Sequence, residues 1–556
     1  MGIRGLVLTM LVVGASVAAP GVAAAVPRLS GEGVFLPNLD DDTRRCTLEP
    51  GDLDRPGLEV DRRLASCHDA ADEVVNGSRD EDDLTKLRLR GSEAARVEVD
   101  GGDHVRVFVR RDGRYRPLTP GETFPAREMR RGVDLAVEGR DIVRDPAKWD
   151  GRVRLTARSA GRAVVKELRV APLLFQHDLM PATTVFAGKP GEGPGWPGEG
   201  LPPGHPGEWD RFSETLTRAT AGVETRFIAG SELWWKDVWL QDLFEPAVAS
   251  MPTAHGVQTM RVAIRSANQW DAGVPTLRPA GRLLFRDLRG PDVGVVQEFT
   301  EGPVVDSWAD QRNATGNFEA LPPYRGYPKG RIYYGSAASG DRKPDPAFLR
   351  MLDAQGQQPP LVLDTSWLMV GHVDETLHVV RSDNARGWTL MVADPRLAEN
   401  LLHQANGTGA RLFAGTNHEY QPTVEELLGD ADFRRQNEAA ARHIDDQVAV
   451  MLRETGLRAD ELVRVPVLFT ESDRAPGLVA LAPAVTNGLS VTAGRYAAPD
   501  PHGPVVHGRD LFKEATERAL RGIRVAWVED VFWAHVGGGE VHCTTNAWRD
   551  TRSLTG

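Results

Sequence analysis

Apolar and polar residues alternate in short runs between residues 87 and 170. Four runs are separated by turns that contain Gly or Pro: Arg96–Val99, Val105–Val109, Val133–Val137 and Val153–Ala157. Successive side chains of a strand point to opposite faces, so each run can bury one face and expose the other. Several short strands at this spacing predict an all-β sandwich in this part of the chain.

Longer periodic segments follow in the second half. Thr423, with Glu426 three residues later, forms a capping-box pattern that predicts the start of a helix. Residues 438–456 predict an amphipathic helix that ends at a glycine. Its apolar face consists of Ile444, Val448, Met451 and Leu452. Residues 511–520 predict another helix and residues 523–527 a strand, so this region is of the α/β class.

The composition argues against two broad classes of protein. The chain has 556 residues, 41% of them hydrophobic and 26% charged, which is an ordinary globular balance. Its mean hydropathy of −0.34 is too low for a protein that crosses a membrane many times. Its formal net charge of −12 argues against a general nucleic-acid binder, because such proteins neutralise phosphates with a basic surface.

Residues 1–25 have the pattern of a secretory signal peptide. Arg4 supplies a positive charge, residues 5–19 are almost continuously apolar, and Ala23–Ala25 offer a small-residue cleavage site. We therefore expect export and secretion, with a mature chain from about Val26. An uncleaved anchor is the alternative, but the apolar run is short and a Pro-Gly pair follows it. No later stretch is apolar enough to span a bilayer.

The chain contains three cysteines. Cys46 and Cys67 are close in sequence and could close a small loop, since exported proteins tend to pair their cysteines. Cys543 is then left over near the C-terminal end. An odd thiol in a secreted protein is a candidate reactive group, and a buried, inert cysteine is the competing explanation.

Three segments set polar residues within strongly apolar sequence. Val370–Leu377 (VGHVDETL) predicts a buried strand in which His372 and Asp374 project from one face. Taken alone, this segment is explained at least as well by a structural His–Asp pair. Residues 234–242 (WWKDVWLQD) add two carboxylates, and residues 537–546 (GGGEVHCTTN) place the odd cysteine after a glycine run. Together they supply a nucleophile, an acid/base and carboxylates.

With these segments the chain resembles the protein-arginine deiminases, the calcium-dependent branch of the guanidino-group modifying superfamily. Motifs occur in the family's order: WLQD (239–242), GPDVG (290–294), GNFEALPP (316–323), VGHVDETL (370–377), RHIDDQVAVMLRETGL (442–457), GPVVHGRD (503–510) and GEVHCTTN (539–546). The resemblance implies an α/β five-bladed propeller of ββαβ units as the catalytic domain, residues 171–556. It also implies an immunoglobulin-like β-sandwich within residues 26–170, which begin with an acidic segment.

The resemblance further implies an activity. The family hydrolyses protein-bound arginine to citrulline and ammonia through a covalent thiouronium intermediate. Two carboxylates, Asp242 and Asp374, would grip the planar guanidinium. Cys543 would attack its carbon and His372 would transfer the protons. The residues implied to contact the substrate are Trp239, Val370 and Arg278. For Trp239, a role as a core residue is nearly as good an explanation.

The implied mouth of the site departs from the family's pattern. Family members commonly use arginines there to hold the backbone carbonyls of the substrate. Arg278 matches one such position, whereas Ala280 and Gly537 stand where relatives have other arginines. We expect peptidyl arginine to be accepted still, with a looser preference for the sequence around it.

Calcium is the cofactor that the resemblance implies. Neighbours in an extended chain point to opposite sides, so Gln241 would face away from the substrate where Asp242 faces it. The implied ligands are Gln241, Glu245, Glu319 and the carbonyls of Thr315 and Phe318, an all-oxygen set that suits calcium. Leu243 and Pro279 replace ligands of a second family site nearby.

An acidic N-terminal segment matches an N-x-D-x-D calcium cluster of the family. Its residues are Asn38, Asp40 and Asp42, and the acidic run 80–83 follows downstream. A solvated acidic loop explains this segment equally well.

Two alternatives to a secreted, bacterial protein-arginine deiminase stay open at this point. One is a hydrolase of free arginine or a small guanidine, and the other is a calcium-stabilised binding protein without catalysis. The four intact catalytic positions argue against the second. The expected partners are protein or peptide arginines, with no nucleic acid and no membrane span after signal removal.

Overall fold

The computed structural model describes residues 26–49, 51–189, 207–230, 237–269, 276–302, 304, 306–337 and 343–555. The predicted signal peptide and residues 234–236 of the WWKDVWLQD segment lie outside these ranges. No helix among the described residues is both long and apolar enough to cross a membrane.

The N-terminal region folds into two five-stranded sheets. Its strands are β1 (Arg28–Gly31), β2 (Val34–Phe35), β3 (Thr85–Arg90), β4 (Ala95–Asp100), β5 (Val105–Arg111), β6 (Arg114–Pro117), β7 (Thr123–Phe124), β8 (Val133–Gly139), β9 (Arg152–Ser159) and β10 (Arg162–Val170). The strand orders are β1-β3-β8-β5-β6 and β2-β10-β9-β4-β7. Three helices connect strands: α1 (Leu58–Ser66), α2 (Ser78–Asp82) and α3 (Ala126–Arg131).

The two sheets share one hydrophobic core. Val97 and Leu155 from one sheet pack in the same cluster as Val107 and Leu135 from the other. The four runs of alternating residues lie in β4, β5, β8 and β9, so the strand predictions are confirmed. Alternation predicts these strands because one face of each meets the core and the other meets solvent.

The second region mixes strands and helices. Its strands are β11 (Leu174–Phe175), β12 (Ala182–Lys189), β13 (Glu224–Ala229), β14 (Phe244–Thr253), β15 (Gly256–Arg265), β16 (Val293–Gln297), β17 (Phe318–Leu321), β18 (Arg331–Ser336), β19 (Leu361–Asp364), β20 (Leu377–Arg381), β21 (Trp388–Asp394), β22 (Val463–Pro466), β23 (Phe469–Glu471), β24 (Leu478–Ala480), β25 (Leu489–Thr492), β26 (Arg495–Pro499), β27 (Val505–Val506), β28 (Arg509–Asp510), β29 (Arg524–Val528) and β30 (Thr545–Arg549). Its helices are α4 (Glu208–Ala219), α5 (Ser307–Asp310), α6 (Pro346–Gln355), α7 (Pro395–Ala405), α8 (Val424–Gly429), α9 (Ala431–Thr455), α10 (Leu511–Ala519) and α11 (Arg552–Thr555).

One pairing pattern recurs in five units of this described region. In each unit a first strand pairs antiparallel with a second, which pairs parallel with a third. The units are β14-β15-β16, β17-β18-β19, β20-β21-β22, β25-β26-β29 and β30-β12-β13. The last unit joins a strand near the C-terminal end to one near the start of the region.

The predicted helices are present with one shifted boundary. Thr423 and Glu426 cap α8 reciprocally, as the capping-box pattern predicts. Helix α9 begins at Ala431, earlier than the predicted residue 438, because the side chain of Asp430 caps its first N–H groups. It ends before Gly456, whose φ of 71° is easily adopted only by glycine. Helix α10 and strand β29 lie where the sequence predicts them.

Candidate active site

Four residues that are far apart in sequence converge in the interior of the second region. Asp242, His372, Asp374 and Cys543 are buried, with exposures of 6%, 1%, 1% and 7%. They lie on the segments that directly precede β14, β20 and β30, the first strands of three units. Equivalent segments of the repeated unit therefore supply the chemical groups.

Hydrogen bonds connect these three segments with the segments that precede β17 and β25, the first strands of the other two units. The Gln241 N–H donates to the Cys543 carbonyl (3.1 Å), the Thr315 N–H to the Asp242 carbonyl (3.3 Å), the Thr486 hydroxyl to the Glu375 carbonyl (3.0 Å) and the His542 N–H to the Asn487 carbonyl (3.0 Å). A ring nitrogen of His372, Nε2, lies 2.8 Å from the Gln311 carbonyl. The segments therefore hold one another in place around the site.

Asp242 is paired with a buried arginine. Nη1 of Arg278 lies 3.0 Å from Oδ2 of Asp242, and Nε and Nη2 of Arg278 each donate to Asp237 at 2.7 Å. Burial raises the pKa of Asp242, and the Arg278 guanidinium opposes part of that rise. Arg278 is 4% exposed, which differs from the place at the mouth expected for it.

His372 and Asp374 lie at a short turn and not in the predicted strand. His372 has extended backbone, and the 3₁₀ helix Val373–Glu375 follows it directly. Oε1 of Glu375 accepts the N–H groups of Gly371 at 2.9 Å and His372 at 2.8 Å. The strand prediction is wrong because this local capping ends the extended run, whereas the apolar pattern reports only burial.

Polar atoms of these side chains are left without partners in the site. Among the described residues, no hydrogen bond reaches Oδ1 of Asp242, Nδ1 of His372 or Oδ1 of Asp374. Nδ1 of His372 and Oδ1 of Asp242 are 3.8 Å apart. A Cβ atom added at Gly316 would lie 2.8 Å from Asp242 Oδ1 and 2.9 Å from His372 Nδ1. Only glycine leaves room for the pair.

Cys543 is a free, buried cysteine next to Asp374. Its Sγ lies 3.7 Å from Oδ2 of Asp374. Burial, and then the carboxylates of Asp374 and Asp242, raise the pKa of the Cys543 thiol well above its usual value. A cation between these groups would reverse the effect of the carboxylates, because it would favour the thiolate.

Trp239 lies against the glycine run that precedes the nucleophile. A Cβ atom added at Gly539 would lie 2.7 Å from the Trp239 ring and 3.0 Å from Sγ of Cys543. One added at Gly537 would also lie 2.7 Å from the ring, so an arginine at that position would displace Trp239. Val370 is half-buried on the loop before His372.

Cys543 is among the residues that line a cavity of about 250 Å³. Both polar and apolar residues line it, among them Glu375, Phe469, Asn487, His535 and Glu540. The thiol therefore faces space through which a small molecule can approach it.

The predicted calcium ligands meet behind Asp242. Nε2 of Gln241 donates to Oε2 of Glu245 at 3.2 Å. Burial and then the charge of Asp178 raise the pKa of Glu245 well above its usual value. Burial, Asp178 and Glu245 do the same to Glu319. Buried, crowded carboxylates of this kind favour either a proton or a cation.

Gln241 and Asp242 face different neighbours, but through a turn and not an extended strand. The Asp242 N–H donates to the carbonyl of Trp239 at 3.1 Å, which closes the turn. The buried Thr315 donates its hydroxyl to the Gln241 carbonyl at 2.7 Å. Its own carbonyl accepts the N–H of the buried Phe318. The predicted oxygen ligands therefore belong to two adjoining segments.

His542 connects these carboxylates to the catalytic ones, and the sequence analysis missed it. Its Nδ1 lies 2.9 Å from Oδ2 of Asp374, and its Nε2 lies 3.4 Å from Oε1 of Glu319. Asp237, the partner of Arg278, was missed too. Both occur inside the polar segments already noted in the sequence, but spacing alone does not assign their partners.

The N-terminal acidic residues form a buried cluster. Carboxylate oxygens of Asp40, Asp42 and Asp83 lie within 4.8 Å of one another. Nδ2 of Asn38 donates to Asp80 at 2.8 Å, so the acidic run 80–83 packs against the N-x-D-x-D segment. Asp40 and Asp83 are 0% and 1% exposed, which rules out a solvated loop.

Proton affinity in this cluster is strongly raised. Burial, Asp83 and Asp42 raise the pKa of Asp40 to about 10. Burial is also the main cause that raises the pKa of Asp83 to about 8 and that of Asp42 to about 7. Oδ1 of Asp40, both carboxylate oxygens of Asp42 and Oδ2 of Asp83 find no hydrogen-bond donor among the described residues. An oxygen-only set of this kind suits a divalent cation such as calcium.

A disulfide closes the loop that follows the first of these segments. It joins Cys46 to Cys67, the two cysteines that are close in sequence. Arg289 of the second region donates to the Cys67 carbonyl at 2.8 Å and to the Cys46 carbonyl at 3.2 Å. The loop is thereby held against the region that carries the site.

Comparison with protein families gives one clear match. The model of the family described as protein-arginine deiminase (PAD) matches residues 163–554. The chain is 31% identical to protein-arginine deiminase type-4 of Homo sapiens, over 56% of this chain and 46% of that protein. It is 32% identical to protein-arginine deiminase type-1 of Mus musculus, over 62% of this chain and 51% of that protein. The chain thus spans about half the length of the curated relatives it matches.

Solved structures align with this chain only at low similarity. A putative arginine deiminase from Porphyromonas gingivalis aligns at 14% identity with a TM-score of 0.38, over 68% of this chain and 98% of that one. A C. jejuni agmatine deiminase aligns at 10% identity with a TM-score of 0.36, over 68% of this chain and 96% of that one.

Proposed function

The chain belongs to the protein-arginine deiminase family, and we propose that it hydrolyses peptidyl or protein-bound arginine to citrulline and ammonia. One observation carries this proposal. Two buried carboxylates, Asp242 and Asp374, each keep an oxygen without a hydrogen bond beside His372 and Cys543. A guanidinium is planar, cationic and rich in N–H donors, so it would satisfy both oxygens and compensate their charge.

The bound guanidinium would also activate the nucleophile. The pKa of the Cys543 thiol is raised by burial and by two carboxylates. A substrate cation between those carboxylates favours the thiolate, so the nucleophile is generated only when the substrate is present. This coupling limits side reactions of the thiolate in the free enzyme.

The reaction proceeds in two halves. In the first, the Cys543 thiol gives its proton to His372 and Sγ bonds to the guanidino carbon. The proton then passes from His372 to the leaving nitrogen, and the C–N bond breaks to release ammonia. In the second, water adds to the same carbon, one of its protons passes to His372, and the C–S bond breaks with its electron pair on sulphur. The other water proton passes to that sulphur, which restores the Cys543 thiol. The product is a neutral urea, which Asp242 and Asp374 hold less strongly than the cation.

Peptidyl arginine is the substrate class that we propose, with free arginine as the second candidate. The half-buried Trp239 lies next to Cys543 and a glycine run. We propose that this is the entrance of the site and that the Trp239 ring packs on the aliphatic part of the substrate arginine. Gly537 leaves that entrance without an arginine, and Ala280, expected at the mouth, is buried like Arg278. We therefore propose a loose preference for the surrounding sequence.

The test is ammonia release from an N-blocked arginine amide and from free L-arginine, each with calcium and with excess chelator. Cys543→Ser serves as the control for background release. We expect the blocked substrate to react faster in calcium. Faster hydrolysis of free arginine would favour the second candidate, and no release from either would leave a binding protein.

We propose that the activity depends on calcium bound by Gln241, Glu245 and Glu319, with the carbonyls of Thr315 and Phe318. The fit rests on the all-oxygen donor set and on the raised proton affinity of the two buried glutamates. A bound calcium ion would supply the positive charge that these carboxylates lack. With their repulsion removed, Glu245 and Glu319 would hold the Gln241–Asp242 turn in one position.

The finer architecture is also proposed. We propose that the five units are the blades of a five-bladed propeller, which the repeated pairing pattern and the hydrogen-bonded central segments support. The N-terminal sandwich would then be the immunoglobulin-like domain of the family. We propose that its acidic cluster, with Asn38, Asp40, Asp42 and Asp83, holds a second calcium site.

Secretion is the location that we propose. The apolar N-terminal run with its small-residue cleavage pattern supports it, and so does the disulfide between Cys46 and Cys67, since disulfides persist in oxidising compartments. Mass spectrometry of the protein from culture medium tests it, with a mature N-terminus near Val26 expected.

A further inference from the structure

Asn487 occupies a site position that no motif in the sequence analysis identified. It lies two residues before Leu489, where β25 begins, as Asp242 lies two before Phe244 and Cys543 two before Thr545. Equivalent positions of three repeated units therefore point towards the same centre. Two of the three carry out the proposed chemistry, which makes the third a candidate as well.

The side-chain amide of Asn487 has a defined orientation. Its Oδ1 accepts the N–H of Cys543 at 3.3 Å, and its backbone carbonyl accepts the N–H of His542 at 3.0 Å. A backbone N–H can bond only to the oxygen of the amide, so the nitrogen is turned away from it. Asn487 is thus attached at two points to the segment that carries the nucleophile.

The amide nitrogen has no partner. Asn487 is 1% exposed, and its Nδ2 makes no hydrogen bond within the part of the chain that the structure describes. Asn487 and Cys543 line the same cavity. A buried donor without an acceptor is destabilising, and such groups persist mainly where function requires them.

The chemistry of the reaction identifies the acceptor. A guanidinium carries only N–H donors and offers nothing for Nδ2 to bond. The thiolate already has the Glu540 backbone N–H, which lowers the pKa of Cys543 against the larger effect of burial. The first oxygen to enter the site is that of the water in the second half of the reaction.

We propose that Nδ2 of Asn487 donates a hydrogen bond to the oxygen of the hydrolytic water and retains it as that oxygen becomes the urea carbonyl. The proposal rests on the proposed function. The water oxygen bonds to the carbon of the thiouronium, one of its protons passes to His372, and the C–S bond breaks with its electrons on sulphur, which takes up the other proton. The hydrogen bond strengthens as the oxygen acquires the carbonyl character of the product, so it accelerates hydrolysis and not thiouronium formation.

The experiment separates the two halves of the reaction in the full-length protein with calcium. Asn487→Ala removes both amide groups, while Asn487→Asp keeps an acceptor for the Cys543 N–H and removes the donor. Rapid-quench kinetics with an N-blocked arginine amide measure released ammonia, and mass spectrometry measures the adduct on Cys543. We expect a burst of one ammonia per enzyme, then turnover about a hundredfold slower than wild type, with the adduct accumulating.

Asn437→Asp is the matched control. Asn437 is a buried asparagine whose amide is fully used, since it donates to the carbonyls of Phe433 and Phe469 and accepts the N–H of Phe469. We expect this variant to lose stability without accumulating adduct. Asn487→Asp also places a carboxylate beside Cys543, which would raise the pKa of the thiol and slow the first half. If Asn487→Ala fails to fold, Asn487→Leu, which has the shape of asparagine without the donor and without a charge, replaces it.

Slow turnover without adduct in both Asn487 variants, or turnover equal to that of wild type, would overturn the proposal. Asn487 would then only position Cys543, which affects the first half. A wild type that releases no ammonia would overturn the proposed function and this proposal with it, whereas an active wild type with adduct-free variants overturns this proposal alone.

Discussion

At the scale of single residues, burial determines how the groups of the site behave. Asp242, Asp374 and Cys543 are buried close together, and each of them is stabilised as an anion by a nearby positive charge. Arg278 supplies such a charge to Asp242. Burial and the two carboxylates raise the pKa of the Cys543 thiol, and the proposed substrate cation would lower it. The reactivity of Cys543 and the close packing at Gly316 can each be tested by a single substitution.

Cys543→Ser should abolish citrulline formation and leave the fold intact. A serine hydroxyl is much harder to ionise than a thiol, so we expect a loss on the order of 10⁴-fold or more. Citrulline and circular dichroism are measured together. Iodoacetamide, which brings no cation into the site, should label Cys543 of the native protein slowly and should not label Cys46 or Cys67, which form a disulfide. Turnover near that of wild type would contradict the proposed mechanism.

Gly316→Ala should lower activity about a hundredfold, because displacement of a reacting group by about 1 Å has that effect. The added methyl group would lie within 3 Å of both Asp242 and His372, at 2.8 and 2.9 Å. Gly429→Ala is the control, since no atom lies within 4 Å of its Cβ position. Equal rates for the two variants would show that the close approach is not required.

At the scale of elements, the turns that precede first strands carry the chemistry, and the strands hold them in position. The 3₁₀ turn at Val373–Glu375 is maintained by one half-buried glutamate, Glu375, that accepts two N–H groups. The Gln241–Asp242 turn joins a proposed substrate-binding carboxylate, Asp242, to a proposed calcium ligand, Gln241. One prediction concerns each turn.

Glu375→Gln should remove a pH dependence of stability. Burial raises the pKa of Glu375 from 4.5 to about 8, so between these values the folded protein holds a proton that the unfolded chain has lost. Stability from this group therefore falls as pH rises through that range. The melting temperature of the variant, relative to that of wild type, should therefore rise between about pH 5 and about pH 8.

The exposed capping glutamate of α8 provides the comparison for that experiment. Its backbone hydrogen bond with Thr423 lowers the pKa of Glu426. Glu426→Gln should therefore not gain on wild type as pH rises. The same gain in both variants would mean that Glu375 is not the group that titrates.

Glu319→Gln should shift calcium activation to higher concentration, by about tenfold or more, because a charged ligand becomes neutral. Activity is measured against buffered free calcium. Since Leu243 and Pro279 replace ligands of a second family site, the wild-type curve should show little cooperativity. Glu98→Gln, on the exposed face of β4, is the control. Full activity in excess chelator would contradict this account of the switch.

At the scale of the whole molecule, the acidic cluster and the disulfide loop join the N-terminal region to the region with the site. The Asp292 N–H donates to Oδ2 of Asp40 at 2.8 Å, and Gln258 donates to Asp83 at 2.8 Å. Leu36 and Leu39 pack into a core with strands β14 and β15. Charge in the cluster therefore affects how the two regions are held together.

Calcium should raise the melting temperature, and Asp83→Asn should reduce that rise. An ion at about 100 times its dissociation constant stabilises the folded state by about 2.7 kcal/mol. Asp82→Asn, at the exposed neighbouring position, should leave the rise unchanged. Calorimetry with calcium and with chelator measures both. A rise that is equal in the two variants would exclude Asp83 as a ligand.

The sequence by itself determines the elements that depend on neighbouring residues. Alternation in β4, β5, β8 and β9 and the capping box of α8 are local patterns, so they are visible without the fold. The four proposed catalytic residues are also readable, because their motifs match a family. The VGHVDETL segment shows the limit, since its apolar pattern reports burial correctly and conformation wrongly.

Only the tertiary structure decides which distant residues meet. Arg278 meets Asp242, Asp83 meets Asp40, and Asn487 meets Cys543. His542 lies between Asp374 and Glu319. All of these residues are far from their partners in sequence. Their spacing along the chain carries no signal, because strand pairing and core packing bring them together. The burial that raises the pKa of Cys543 and of the acidic clusters is likewise a property of the assembled interior, where water no longer stabilises charge.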